Sequence, residues 1–205
     1  MRLRWPAGPG YLVAEVLAPV LLHASPGGPE IAEADIRTQF GSARVLAVVR
    51  QRGGWFGVSV PERSNGTLAC LPNSGRLLLY RVRDRLVASL STRRLELLRA
   101  GRPVLRTTVA VGRAADPTPL GRFAVTDRLI IRGATHYGYG ALALSGHQPN
   151  IPQGWGGGDR LAIHGTDDPA SIGLAASQGC VRAGDAAVRA LIADVPLGTP
   201  VFVRP

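Results

Sequence analysis

Two residues in the last quarter of the chain, Cys180 and His164, have the types and neighbours that nucleophilic acyl transfer requires. They lie sixteen residues apart, and each adjoins a glycine, Gly179 before the cysteine and Gly165 after the histidine. A thiol becomes a strong nucleophile only as thiolate, so it needs a nearby base. Gly179 permits a sharp turn in which backbone N–H groups converge near the sulfur, where an oxyanion would need donors. The pair predicts a cysteine nucleophile with a histidine base, and simple packing of a buried cysteine is the competing interpretation.

The residues around this pair fit the same chemistry. The small size of Gly165 leaves room beside the imidazole, and its carbonyl could bond to the second ring nitrogen. Arg182 would lower the pKa of the thiol or bind a substrate carboxylate. Asp167 and Asp168 could supply a third triad member, but their place directly after the histidine strand favours a turn or a helix cap.

The elements that must position these residues are mostly short strands. Apolar runs separated by Gly and Pro predict a second unit that begins near residue 86, and one helix with Asp185 as its N-cap. The Gly-rich stretch 133–158 is interpreted as an irregular loop or lid. The predicted strands of this unit are 86–91 and 94–98, which form a hairpin, followed by 104–112, 122–127, 161–164 and 201–203.

Residues 10–85 predict a separate, small antiparallel β-barrel. Its strands are short alternating runs, and Asn65-Gly66 is a tight-turn pair. The apolar segment 11–22 follows two arginines and resembles an export signal, but Glu15 and Pro19 interrupt it, so a first strand is favoured. No segment of the sequence is apolar for long enough to predict a membrane span.

The composition excludes several classes of function. The net charge is +10 and all 24 basic residues are arginine, so a Walker A loop or a Schiff-base lysine is impossible. The arginines are scattered without interleaved aromatic residues, which argues against a nucleic-acid module. The two cysteines, Cys70 and Cys180, show no metal-ligand spacing, so no metal is expected, and Cys70 is interpreted as a small buried apolar residue.

A longer pattern around the candidate site identifies a family. His164-Gly165-Thr166, followed by Ser177-Gln178-Gly179-Cys180-Val181-Arg182, resembles the active-site signature of the YkuD-type L,D-transpeptidases. Residues 109–112 and 118–123 resemble the strand and the T-P-x-G-x-F loop of the same family, so the resemblance covers roughly 86–205. Gln178 stands where many relatives have histidine, which puts the acceptor preference and the electrostatics of the thiolate in doubt.

The resemblance implies a role for each matching position. Cys180 would attack the carbonyl between the third, diamino acid residue and the terminal D-Ala of a tetrapeptide stem, with His164 as base and the Gly165 carbonyl as its orienting partner. The N–H groups of Gly179 and Cys180 would form the oxyanion hole. An amine of a second stem would then release the thioester as an L,D cross-link, without any cofactor. With water as acceptor the same site would be a carboxypeptidase or hydrolase, and a non-catalytic wall-binding protein is the third alternative.

The resemblance also suggests where the substrate lies. Trp155, within the predicted lid, would cover the cleft or anchor the loop. The residues expected to contact substrate are Arg182, Ser177, Gln178, His147 and Tyr137.

The family further implies a domain organisation and a compartment. The expected fold is mainly β, with an SH3-like β-barrel at 10–85 followed by a catalytic domain at 86–205 that carries one C-terminal helix. Peptidoglycan stem peptides are the expected partners, and the basic surface could also attract anionic wall polymers. Such a substrate implies an extracytoplasmic location, although the sequence shows no convincing export signal.

Overall fold

The computed structural model describes residues 9–133, 135–152 and 158–205. In these residues the chain is mainly β, as predicted, and it forms two sheets. The first sheet ends at Val82 and the second begins at Asp84, so Arg83 alone separates them.

The first sheet has seven strands in the order β3-β2-β6-β5-β4-β1-β7. Its core includes the fully buried side chains of Leu22, Phe56 and Leu71. The apolar stretch at the start of the chain forms two strands, as the strand interpretation expected. The strands are β1 (Tyr11–Val16), β2 (Val20–His23), β3 (Glu30–Ala34), β4 (Val45–Arg52), β5 (Trp55–Ser59), β6 (Ala69–Pro72) and β7 (Leu77–Val82).

The second sheet contains nine strands and closes on itself. One end of its long strand β10 pairs with β9 and the other end with β15, so the pairings run through eight strands and return to β10. The strands are β8 (Asp84–Ser89), β9 (Arg94–Arg99), β10 (Arg102–Gly112), β11 (Gly121–Ile130), β12 (Gly140–His147), β13 (Arg160–His164), β14 (Ala175–Ser177), β15 (Val181–Ala183) and β16 (Pro200–Arg204).

The helix α1 (Asp185–Asp194) covers strand β12 of this sheet. Val188 and Leu191 are completely buried, at the spacing that predicted the helix. Asp185 is not the N-cap, because Gly184 occupies that position. Instead, Asp185 Oδ1 accepts a hydrogen bond from the backbone N–H of Tyr139 at 3.0 Å.

The prediction of a loop across the Gly-rich segment was wrong for Gly140–His147, which is the strand β12, buried along almost its whole length. Its small residues are required by close neighbours. A Cβ added at Gly140 would lie 2.8 Å from the Ile192 side chain, and one added at Gly146 would overlap the ring of Phe123. Glycine in this strand therefore marks close approach of other elements, which sequence periodicity does not distinguish from a loop.

The two sheets are packed against each other. Val13, Val45 and Val82 of the first sheet form an apolar cluster with Leu197, which precedes the last strand of the second. Close packing extends to Gly198, where an added Cβ would lie 2.7 Å from Val13. The sheets therefore share an interface with its own small core.

In the part of the chain that the structure describes, no helix combines the length and the apolar character needed to cross a bilayer.

The packing of α1 predicts a large loss of stability on truncation of its central leucine. Leu191 is 0% exposed, so Leu191→Ala leaves a cavity, and we expect the free energy of unfolding to fall by about 2–5 kcal/mol. The matched control is Leu120→Ala at a side chain that is 55% exposed, where the change should be about 0.5 kcal/mol or less. Urea unfolding measures both values, and equal losses in the two variants would contradict this packing.

Candidate active site

Cys180 and His164 line one cavity of about 590 Å³ at the edge of the second sheet. Most of the residues predicted from sequence to contact substrate lie there as well. The predicted residues in its lining are Tyr137, His164, Ser177, Gln178, Cys180 and Arg182.

The parallel pairing of β13 with β15 brings the nucleophile and base candidates together. Ile163 pairs with Val181, and His164 pairs with Arg182. Cys180 immediately precedes β15, so it arrives at the same end of the sheet as the imidazole at the end of β13. Cys180 and His164, sixteen positions apart in sequence, are thus brought together by one pair of neighbouring strands.

The imidazole of His164 is buried, with 5% of the residue exposed. Its Nδ1 lies 2.5 Å from the carbonyl oxygen of Gly165, the contact that the sequence led us to expect. A carbonyl only accepts hydrogen bonds, so Nδ1 carries the proton and Nε2 keeps its lone pair. Burial lowers the pKa of His164 from 6.5 to about 4; the Gly165 hydrogen bond raises it and the positive charge of Arg182 lowers it further.

The thiol of Cys180 is also desolvated, although the residue as a whole is half-buried. Its Sγ lies 3.8 Å from the carbonyl oxygen of Arg160, an acceptor for the S–H proton. Burial raises the pKa of the Cys180 thiol, while a backbone hydrogen bond at Ala162 and the positive charge of Arg182 act in the opposite direction. These shifts favour a neutral thiol beside a neutral imidazole in the resting protein.

A tight turn before Cys180 is closed by the hydroxyl of Ser177. This hydroxyl donates to the carbonyl oxygen of Cys180 at 2.5 Å and accepts the N–H of Gly179 at 3.1 Å. Gly179 has a φ of 106°, in the left-handed region that favours glycine. Because its N–H is engaged inside the turn, Gly179 does not offer the oxyanion donor expected from the sequence in this conformation.

Gln148 is a cavity residue that the sequence reasoning missed. It is 2% exposed, and its Nε2 donates to the carbonyl oxygen of Pro117 at 2.9 Å. A Cβ added to Gly179 would overlap this amide, so the Gln148 side chain rests directly against the cysteine turn. The sequence carried no signal for this role. Gln148 directly follows β12, and the glycines of β12 had led to the prediction of a loop there.

Tyr137 packs against His164, the candidate base. Its ring meets the imidazole of His164 edge-on, with centroids 4.9 Å apart and an interplanar angle of 65°. Burial raises the pKa of the Tyr137 hydroxyl, and the charge of Cys180 adds to this effect. A Cβ added at Gly165 would lie 2.8 Å from the Tyr137 carbonyl oxygen, so the glycine beside the histidine allows this segment to approach.

His147, expected beside the substrate, does not line the cavity that contains Cys180. Its ring nitrogens bond to Asp159 and to the carbonyl oxygen of Pro61, toward the first sheet. The strand β12 ends there, and it is the next residue, Gln148, that reaches the cavity. Trp155, the other residue expected at the cleft, lies outside the described residues.

The two aspartates after His164 take structural roles. Asp167 Oδ2 pairs with His136 Nδ1 at 2.7 Å, and the backbone N–H of Asp168 donates to the hydroxyl of Thr166 at 3.0 Å. The Gly165 carbonyl therefore takes the place that a triad carboxylate would have. Over the described ranges, no group of three or more His, Cys, Asp or Glu side chains is arranged to hold a metal ion.

Known proteins are similar in sequence to the part of the chain that contains the candidate site. A family model described as the L,D-transpeptidase catalytic domain (YkuD) matches residues 83–203. YkuD of Bacillus licheniformis is 36% identical over 121 residues, which cover 59% of this chain and 66% of that protein. YkuD of Bacillus subtilis is 33% identical over 125 residues, covering 61% and 68% respectively. The chain thus spans about two thirds of the length of these curated relatives.

Solved structures show the same fold at lower identity. An L,D-transpeptidase from Mycobacterium smegmatis aligns with a TM-score of 0.50 and 12% identity, over 94% of this chain and 99% of that one. One from Mycobacterium tuberculosis H37Rv aligns with a TM-score of 0.50 and 18% identity, over 70% and 67%. Because the family model spans more than half of its residues, the chain belongs to the YkuD family of L,D-transpeptidase catalytic domains.

Proposed function

We propose that this protein is a cysteine-dependent L,D-transpeptidase that cross-links peptidoglycan stem peptides. One observation carries the proposal: a buried imidazole, oriented by the carbonyl of Gly165, shares a cavity with Cys180 and Arg182 in the part of the chain that matches the family. A base with a fixed tautomer beside a thiol is the arrangement that acyl transfer needs.

The first half-reaction forms a thioester. Cys180 Sγ attacks the carbonyl carbon between the third stem residue and the terminal D-Ala, and its proton passes to Nε2 of His164. The tetrahedral intermediate then collapses, the C–N bond breaks, and the imidazolium returns the proton to the departing amine of D-Ala. Because burial favours the neutral form of both groups, we expect the proton to move as the attack proceeds.

The second half-reaction transfers the acyl group. The side-chain amine of a second stem attacks the thioester carbonyl with His164 as base, which forms an amide bond and regenerates the thiol of Cys180. With the Gly179 N–H held by Ser177, the N–H of Cys180 itself is the oxyanion donor we expect. If water replaces the amine, the product is a shortened stem and the enzyme is a carboxypeptidase.

Charged and polar side chains in the cavity fit a peptide that carries carboxylates. Arg182 lies two residues after Cys180 and lines the cavity, where it would pair with a stem carboxylate. Gln178 is half-buried in the same lining, and as a neutral amide it would contact the stem without adding charge. Ser177 is buried and holds the turn, so we assign it to positioning.

We also propose where the protein acts and how it is divided. Its substrate class places the reaction outside the cytoplasmic membrane, and the basic surface would favour anionic wall polymers. We propose residues 10–85 as a separate unit in front of a catalytic domain at 86–205, in line with the change of sheet at Arg83. The SH3-like identity of the first unit stays a prediction.

The proposed reaction predicts a defined product from a disaccharide-tetrapeptide. We expect mass spectrometry to detect a cross-linked dimer that has lost one D-Ala. Tripeptide alone would identify a carboxypeptidase. Absence of any product would contradict both enzymatic assignments and leave a wall-binding role.

The second cysteine offers a matched control for the nucleophile. We expect a carbapenem to add its mass once to the wild type and to Cys70→Ala, and not at all to Cys180→Ala, because Cys180 shares a cavity with the imidazole of His164, the proposed base. Intact-protein mass spectrometry measures the adducts. An adduct that persists in Cys180→Ala would exclude Cys180 as the nucleophile.

The lowered pKa of His164 predicts an acid-dependent loss of stability. Above pH 6.5 the ring is neutral both folded and unfolded, and below it the unfolded chain takes up a proton that the folded ring resists down to about pH 4. Between about pH 7 and about pH 4 the wild type should therefore lose about 3 kcal/mol through this residue alone.

Urea unfolding at the two pH values tests this expectation. His164→Gln should lose less stability than the wild type over the same interval. The matched control His136→Gln, at a side chain that is 92% exposed, should behave as the wild type does. Equal pH dependence in His164→Gln and the wild type would show that the imidazole is protonated as easily in the folded state as in the unfolded state.

A further inference from the structure

A side chain of the first sheet holds the end of strand β12 through two hydrogen bonds. Asn65, between β5 and β6, accepts the backbone N–H of His147 at 2.9 Å through Oδ1. Its Nδ2 donates to the carbonyl oxygen of the same residue at 2.7 Å. One amide thereby satisfies both main-chain groups of His147, as a neighbouring strand would.

The ring of His147 contacts both halves of the chain. Its Nε2 lies 2.6 Å from the carbonyl oxygen of Pro61, in the first sheet's half of the chain, and its Nδ1 lies 2.8 Å from Asp159 Oδ1 in the second. The main chain and the ring of His147 are therefore both held across the interface.

From His147 the contacts lead to the thiol along the sheet. His147 pairs in register with Arg160 of β13. The carbonyl oxygen of Arg160 is the acceptor that lies 3.8 Å from Cys180 Sγ. The Arg160 guanidinium donates to the carbonyl oxygen of Leu144 at 2.7 Å, and the residue lines both the cavity that contains Cys180 and a second cavity between the sheets. A shift of the β12 end would thus move the acceptor of the thiol proton.

A second route runs through the residue that follows His147. The backbone N–H of Gln148 donates to the carbonyl oxygen of Asp159 at 2.7 Å, and its side chain rests on Gly179. Gly179 directly precedes the nucleophile, so the position of the Gln148 amide limits the path of the turn. Both routes start at the residue that Asn65 holds.

We propose that Asn65 and His147 are positioning residues through which the first sheet holds the Arg160 carbonyl and the Gln148 amide against Cys180. The proposal rests on the assignment of Cys180 as the nucleophile. It gives the N-terminal unit a part in catalysis within its own chain, beyond any binding of the wall. A contact that only holds the two sheets together would change the stability of the protein and leave the reactivity of Cys180 unchanged.

The test compares Asn65→Ala with Asn73→Ala, a matched change at the far end of the same sheet, in the full chain with Cys70→Ala. Each variant is assayed well below its own Tm, so that the folded protein is measured. The first readout is kcat and KM for transfer from the tetrapeptide. The second is the pH profile of Cys180 alkylation by iodoacetamide, which does not require turnover.

We expect Asn65→Ala to lower kcat on the order of tenfold, because small displacements of reacting groups are costly, with KM little changed. The alkylation midpoint should fall toward that of an ordinary cysteine as the turn loosens. Asn65→Asp retains the acceptor and loses the donor, so it should lie between the wild type and Asn65→Ala. Asn73→Ala should match the wild type in both readouts.

Gln148→Ala provides the coupling measurement. If the two residues act through one path, the double variant Asn65→Ala with Gln148→Ala should lower kcat little more than either single change does. An alkylation profile of Asn65→Ala and Asn65→Asp that coincides with that of Asn73→Ala would overturn the proposal. A wild type without turnover would contradict the proposed function, while the alkylation profiles would still decide whether Asn65 positions the thiol.

Discussion

The parallel pairing of β13 with β15 is the constraint on which the rest of the site depends. It aligns His164 with Arg182 and so delivers Cys180 and the imidazole to one edge of the sheet. The hydrogen bond from His164 Nδ1 to the Gly165 carbonyl then decides which nitrogen can accept the thiol proton. A backbone carbonyl does this without adding a charge, whereas a triad carboxylate would bring a second buried ion that the cavity would have to stabilise.

Burial and close packing explain why glycines surround the pair. Gly165 admits the Tyr137 segment beside the histidine, and Gly179 admits the Gln148 amide beside the cysteine. The resulting desolvation moves the pKa of the imidazole down and that of the thiol up, so both remain neutral at rest. In the proposed reaction, reactivity would therefore depend on geometry at the moment of attack rather than on a preformed thiolate.

The interface between the two sheets combines apolar and polar contacts. The apolar contacts around Val13 and Leu197 bring the sheets together, and the polar contacts of Asn65 determine how the end of β12 lies. Apolar contacts of this kind are tolerant of small shifts, whereas two hydrogen bonds to one residue's main chain specify position. These contacts are the basis for the proposal that the first unit positions a candidate site that it does not line.

The sequence by itself determined the mainly β class, the helix near the end of the chain and the two candidates for the reacting pair. Strand alternation, the i, i+3, i+4 spacing and the His164-Gly165 and Gly179-Cys180 signals are all local. Only the tertiary structure decided that Gly140–His147 is a strand, that Gln148 reaches the cavity while His147 turns away, and that the Gly179 N–H is engaged by Ser177. These outcomes depend on contacts between residues that are far apart in the chain. The local sequence pattern around a glycine or a glutamine does not indicate which distant residues will pack against it.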